Sequence, residues 1–376
     1  MKRVITTALM VGTTVAAVSL TVPANAATVS SSTSPSRAVF VQNNDAHGNT
    51  LVAYDRRGDG SLAEAGRYPT GGKGGVLAGA GIDATASQGS LAYDRRSGNL
   101  YVANAGSDSV TVFAVHGSKL VRRQVVSSGG DFPVSITVHG NLVYVLNARG
   151  GGSIQGYLQV AGRLVPIGPW HRSVGLDPQQ TQESGNAPSD IAFTPDGTRL
   201  VVTTKNGANS IDIFRVGLFG PSARPTVTTL PGAVPFAVDF DAAGHLAVAE
   251  AGPNAVATFT INRDDTLTAV DHSATGQVAT CWIVAVDGKL YAANGGSSSI
   301  SGFTVNRRGA LTALGTTSAD AGTTDLAASS DGKNLYARTG IDGHINAFRI
   351  NADGSLTRLG SVTVPHGVSA EGIVAL

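Results

Sequence analysis

Residues 290–303 read LYAANGGSSSISGF: an apolar strand from Leu290 to Asn294, a Gly-Ser turn, and a second alternating strand from Ser299 to Phe303. Working outward, the same pattern returns at Leu335–Thr339 with His344–Phe348, and at Leu246–Glu250 with Ala255–Phe259. It recurs at Leu200–Thr204 with Ser210–Phe214, Val143–Asn147 with Ser153–Tyr157, and Leu100–Asn104 with Ser109–Val115. An opening copy, Val39–Asn43 with Leu51–Tyr54, makes seven. The spacing is mostly about 43 to 46 residues, the length of one four-stranded blade. Two intervals are longer because they carry inserts, Gly71 to Ser87 and Gly175 to Asn186.

Each strand alternates apolar and polar residues and is bounded by Gly, Asn or Asp-Gly turns, such as Asp196-Gly197 and Asp331-Gly332. No helical period persists beyond about two turns. The reading is all-β: a seven-bladed β-propeller of four-stranded antiparallel blades. Most copies are preceded by a further apolar strand, as at Ser189–Phe193 and Thr324–Ala328, but the first copy begins directly at Ala38. The segment Ala370 to Leu376 supplies the missing inner strand. The C-terminal strand therefore completes the first blade, and closure removes exposed sheet edges.

Composition narrows the function. Lys2 and Arg3, an apolar stretch from Val4 to Val22, and Ala24-Asn25-Ala26 have the layout of a secretory signal peptide. The expected organisation is a signal peptide over 1–26, a flexible lead-in over 27–37, and one propeller domain over 38–376. The mature protein is expected to be secreted, with no later membrane span. A net charge of +1 with 14% charged residues argues against nucleic acid as a partner. Cys281 is the one cysteine, so no disulfide can form within the chain. It reads as a small buried apolar residue rather than a nucleophile.

With seven such repeats and outer strands opening on Asp353 to Leu356, the chain from Ala38 onward resembles the lactonase family of seven-bladed propellers, which includes 6-phosphogluconolactonase and carboxymuconate-cyclase relatives. The resemblance implies a hydrolase or isomerase acting on a lactone or sugar acid. Catalytic members carry Gly-Pro-Arg-His opening an inner strand and a following strand ending in Asn-Glu. The matching segments here are Ala187-Pro188-Ser189-Asp190 and Thr204-Lys205. Ser189, Asp190 and Lys205 therefore stand where the family has Arg, His and Glu. That exchange, with export from the cytosol, argues against a phosphorylated substrate.

Ligands of propellers sit where inner strands converge on the channel mouth. Aligning those strands gives a ring of Ser90, Ser135, Asp190, Ala237, Trp282, Asp325 and Glu371. The ends of the second strands add Asn43, Asn104, Asn147, Lys205, Glu250, Asn294 and Thr339. The catalytic candidates are Asp190 or Glu250 as the general base and Lys205 as the oxyanion partner, converging on one water-sized position. The ligand-binding candidates are Trp282, Asn294, Asp325 and Glu371. The competing reading makes these solvated channel residues and strand-end caps. No metal or cofactor motif is present, so neither is expected. The Gly-rich insert from Gly71 to Gly81 reads as a mobile loop, and Leu176 to Asn186 is placed to overhang the funnel. The expected partner is a small lactone or sugar-like ligand bound by a monomer. The alternative function is a non-catalytic extracellular propeller holding a glycan or protein.

Overall fold

The computed structural model describes residues 37–376; the expected signal peptide over 1–26 and residues 27–36 of the expected lead-in lie outside the described residues. Seven antiparallel sheets are present, and their inner strands contact one another in cyclic order. Blade 1 contains Ala38–Gln42, Thr50–Arg56 and Leu62–Pro69, and its innermost strand is Ile373–Ala375. Val39, Phe40 and Val41 pair with Ala375, Val374 and Ile373. The two ends of the domain thus share one blade, as the sequence implies. No helix among the described residues is long and apolar enough to cross a membrane.

The other inner strands begin at Leu91, Pro133, Asp190, Pro235, Thr280 and Thr323. The core lies between blades rather than within them. Ala38 and Phe40 of blade 1 pack with Leu91, Leu100 and Phe113 of blade 2, and comparable apolar clusters fill other inter-blade spaces. Fully buried tyrosines tie neighbours together through their hydroxyls. Tyr291 donates to the Gly354 carbonyl of blade 7, and Tyr336 of blade 7 donates to the Gly60 carbonyl of blade 1, each at 2.8 Å. A buried hydroxyl needs such a partner, so each bond also fixes the angle between two sheets.

Arg56 locks the closing blade. Its guanidinium donates to the Leu376 carbonyl at 3.2 Å, to Asp331 at 3.1 Å and to the Asn334 side-chain oxygen at 3.2 Å. Replacing it by alanine leaves the buried acceptors unpaired, which costs about 2–4 kcal/mol. Urea unfolding of Arg56→Ala should show this loss; an unchanged midpoint would remove Arg56 from ring closure.

Among the inner strands, irregularity is concentrated at one end of the channel. The inner strands of blades 3, 5, 6 and 7 each shift register at their start, between Pro133 and Ser135, Pro235 and Val238, Thr280 and Trp282, and Thr323 and Leu326. Phe132, Val234 and Ala279, just before three of these strands, have φ of +63°, +48° and +57°. Such bulges re-aim the side chains beside them. They fall at the residues the sequence places around the mouth.

Candidate functional site

The mouth of the channel is closed. Ser90, Ser135, Asp190, Trp282, Asp325 and Glu371 are all buried, and so is Asp83, which comes from the insert between blades 1 and 2. The expectation of a mobile loop is corrected here: residues 71–87 form a fixed lid. Leu77 is fully buried in an apolar cluster with Phe132 and Ala148. Lys205 Nζ donates to the Ala86 carbonyl at 2.7 Å, and the Trp282 indole N–H donates to the Ser87 carbonyl at 2.8 Å. The backbone N–H of Ala84 reaches the Ser369 carbonyl at 3.0 Å. Apolar anchoring and these hydrogen bonds to neighbouring elements override the high glycine content that suggested mobility.

The second insert latches the lid. Glu183, in the short helix Glu183–Asn186, accepts from the Ala78 N–H at 2.8 Å and pairs with Arg149 at 2.8 Å. The Ser184 N–H returns a bond to the Ala78 carbonyl at 3.0 Å. Segment 176–186 therefore meets the lid at the mouth.

Beneath the lid lies a buried carboxylate cluster. Asp190 accepts from Ser135 Oγ at 2.9 Å and from the Val238 N–H at 3.0 Å. Burial pushes its carboxyl up to about 7, against those two bonds and with the help of Asp325 and Asp239. Asp325 is also raised to about 7 by burial, while accepting from the Leu326 N–H and bonding Glu371. Two carboxyl groups bond each other only by sharing a proton. Glu371, which accepts from the Ser90 N–H at 3.2 Å, is held well above the carboxylate range by burial and by the charges of Asp325 and Asp83. Asp83 is raised by burial, and it accepts from the Thr85 and Ser87 N–H groups at 2.8 and 2.9 Å.

Two cations face this set. Burial lowers Lys205 to about 7. Its backbone sits at φ +46°, and its ammonium lies 5.3 Å from the centre of the Phe236 ring. A non-glycine residue in that region is uncommon and marks a constrained site. Arg338, fully buried, is lowered to about 10 by burial. It donates to the Gly367 and Ala370 carbonyls, while its Nε and Nη1 have no partner among the described residues. The sequence reading missed Asp83 and Arg338. Arg338 could have been found, since the equivalent positions of blades 2, 5 and 6 carry Ala103, Ala249 and Ala293.

The other candidates fall elsewhere or have structural partners. Asp190 accepts from Ser135 and the Val238 N–H, Lys205 donates to the Ala86 carbonyl, and Glu250 shares none of these partners. Glu250 pairs with His272 at 3.1 Å, outside the funnel cluster. Asn294 accepts from Thr280 Oγ1 at 2.7 Å and donates to Ser299 and Ser301, a strand-end cap. Trp282 packs edge-on against Phe236 with 5.1 Å between ring centres. Cys281 is buried, and burial pushes its thiol up to about 12, which leaves it unreactive near neutral pH. One group among the described residues, Asp320, Asp342 and His344, has the spacing of a metal site, but Arg358 already neutralises Asp320.

Comparison with known proteins places the fold in context. The family described as "Lactonase, 7-bladed beta-propeller" matches residues 48–155 and 285–371, more than half of the chain. A putative 6-phosphogluconolactonase from Bacteroides uniformis superposes with a TM-score of 0.71 at 17% identity, covering 90% of this chain and 98% of that one. A second, from Bacteroides fragilis, gives 0.68 at 19% identity with the same coverage. The periplasmic gluconolactonase of Pseudomonas aeruginosa gives 0.69 at 17% identity, again covering 90% and 98%. At these identities the superpositions speak for fold alone. No curated protein sequence matches the chain. The seven closed blades and the family match together place this chain in the lactonase family of seven-bladed β-propellers.

Proposed function

We propose that this protein is a secreted hydrolase of a small, unphosphorylated lactone, acting at the lidded carboxylate cluster. The observation that carries the reading is Asp190, a carboxyl buried at the start of an inner strand and held by Ser135 and the Val238 N–H beneath the lid segment. A carboxylate fixed in this way is suited to taking a proton from water. With the lid lifted, Asp190 receives that proton while the water oxygen bonds the lactone carbonyl carbon. The ring C–O bond then breaks, and the leaving alkoxide takes a proton from the Asp325–Glu371 pair, giving the hydroxy acid. Lys205, freed from the Ala86 carbonyl, stands as the cation for the intermediate oxyanion. Ser189 stands where the family has Arg, which leaves that position without a cation for a phosphate and supports an unphosphorylated substrate.

A panel of aldonolactones and simple γ- and δ-lactones, with and without a phosphate, tests the proposal by titrating released acid. Turnover of an unphosphorylated member is expected, falling about 100-fold or more in Asp190→Asn. Equal rates in wild type and variant would end the role of Asp190. A second reading has its own support: the lid occupies both Lys205 and Trp282, as in a non-catalytic propeller with a permanent plug. That reading gains if no lactone turns over even when the lid is displaced.

A further inference from the structure

The repeats provide an internal control for a second site, independent of the funnel chemistry. In blades 2, 3, 4 and 6 the residue ending the second strand is capped by a serine that opens the third strand. The pairs are Asn104 with Ser109, Asn147 with Ser153, Thr204 with Ser210, and Asn294 with Ser299. Blades 2 and 6 add a second hydroxyl two residues on, Thr111 or Ser301, at 2.9 and 3.0 Å. The outer-strand residues paired with these are Val125 and Thr316.

Blade 5 departs at all four positions. Glu250 replaces the Asn, Ala255 and Ala257 replace both hydroxyl residues, and His272 occupies the paired position on the outer strand. The cap cannot form. Instead Glu250 reaches outward and pairs with His272 at 3.1 Å. The carboxylate is 6% exposed, whereas the imidazole is half exposed. Beside the pair lies a cavity of about 380 Å³ lined by Leu230, Pro231, Ala233 and Pro253. A Cβ on Gly252 would lie 1.9 Å from the Gly232 carbonyl, so the two turns forming the cavity wall pack through bare backbone.

We propose that this groove between blades 4 and 5 binds a small organic amine, its ammonium on Glu250 and its apolar body against Leu230, Pro231 and Pro253. A carboxylate offers about four acceptor positions, and His272 fills one of them. The hydroxyls at these positions in the sister blades accept from an Asn amide and could donate to a carboxylate, but here they are replaced by alanines. What remains is a nearly buried anion with spare acceptor capacity at the end of an apolar groove. Small-ligand sites have this composition: mostly apolar walls and one or two polar groups that orient the ligand. An ammonium satisfies the anion, and an alkyl or aryl stem covers the prolines.

Benzylamine is a suitable probe, with benzyl alcohol as its neutral isostere, read by calorimetry and by chemical shifts of His272. Benzylamine is expected to bind in the range of about 1 mM, with the alcohol at least about tenfold weaker. Glu250→Gln should weaken the amine about tenfold or more. The combined variant Glu250→Asn, Ala255→Ser, Ala257→Thr, His272→Val rebuilds the cap of the sister blades. It should fold with a melting temperature no lower than wild type and bind no amine. Equal binding of amine and alcohol, binding of neither, or amine binding retained by the rebuilt blade would each overturn the proposal.

Discussion

Raising the pH from 5 to 7.5 is expected to lower the melting temperature by roughly 5–10 °C, an inverse of the usual acid sensitivity. Asp190 and Asp325 are each raised from 3.8 to about 7 by burial. Between those limits the folded state binds more protons than the unfolded state, so stability falls as pH rises. It is fully recovered once both states are protonated. A shift of that size corresponds to on the order of 4 kcal/mol per group, and hydration and relaxation will reduce it. Asp83 and Glu371 are shifted in the same direction and add to the effect.

Lys205 acts on the other side. Lowered from 10.5 to about 7, it binds fewer protons folded than unfolded across that interval, so its contribution recovers as pH rises above 7. The minimum of stability should therefore lie near pH 7 to 8. Paired surface carboxylates do not blur the window, because Asp320 and Asp331 are held down to about 2 and respond only in stronger acid. Scanning calorimetry from pH 4.5 to 9 measures the profile. Asp325→Asn should flatten the falling limb. A melting temperature that rises steadily from pH 5 to 7.5 would mean that the cluster is hydrated and its carboxyls ordinary.

Most of the architecture is legible in the sequence because a repeat multiplies a weak signal. One LYVAN-like strand end says little, whereas seven of them at blade spacing, with an orphan strand at Ala370 to Leu376, specify a closed ring. The membership of the funnel ring was likewise readable from strand alignment. Its environment was not. Period-two alternation cannot register the bulges at Ser135, Val238, Trp282 and Leu326, because a bulge breaks that period. Nor does local composition reveal that a glycine-rich segment folds inward, since its buried apolar anchors are few, Leu77, Ala84 and Ala86, and the rest of the hold comes from backbone groups and from distant side chains such as Lys205, Trp282 and Glu183. Glu250 shows a third limit. Its position is equivalent to Asn294 and Thr204, yet its direction is decided by two alanines and a histidine on other strands.

Gly340→Ala is expected to displace the lid and leave the propeller intact. A Cβ at Gly340 would lie 1.8 Å from the Ile82 carbonyl oxygen and 2.8 Å from its carbon. Gly340 has an ordinary backbone conformation, so the added methyl meets no strain of its own. The Gly340 side of the contact, in the turn after Asn334–Thr339, is fixed by its N–H bond to the Gly322 carbonyl and by the bond its carbonyl accepts from the Ser369 N–H, each at 2.7 Å. Ile82 belongs to a connecting segment, so the lid is the side that gives way. Limited proteolysis within residues 71–87 should accelerate about tenfold or more, with the blades uncut. Emission from Trp282 should shift to the red as its indole loses the Ser87 carbonyl and meets water. Trp170, the one other tryptophan, sits at the outer edge of blade 3 and provides a constant background. The same substitution joins the two effects: water admitted to Asp190, Asp325 and Glu371 returns their carboxyls toward ordinary values, so the fall in melting temperature between pH 5 and 7.5 should shrink. Unaltered cleavage together with an unaltered pH profile would show that the lid absorbs the methyl in place, and the cluster would then be a sealed core rather than a gated site.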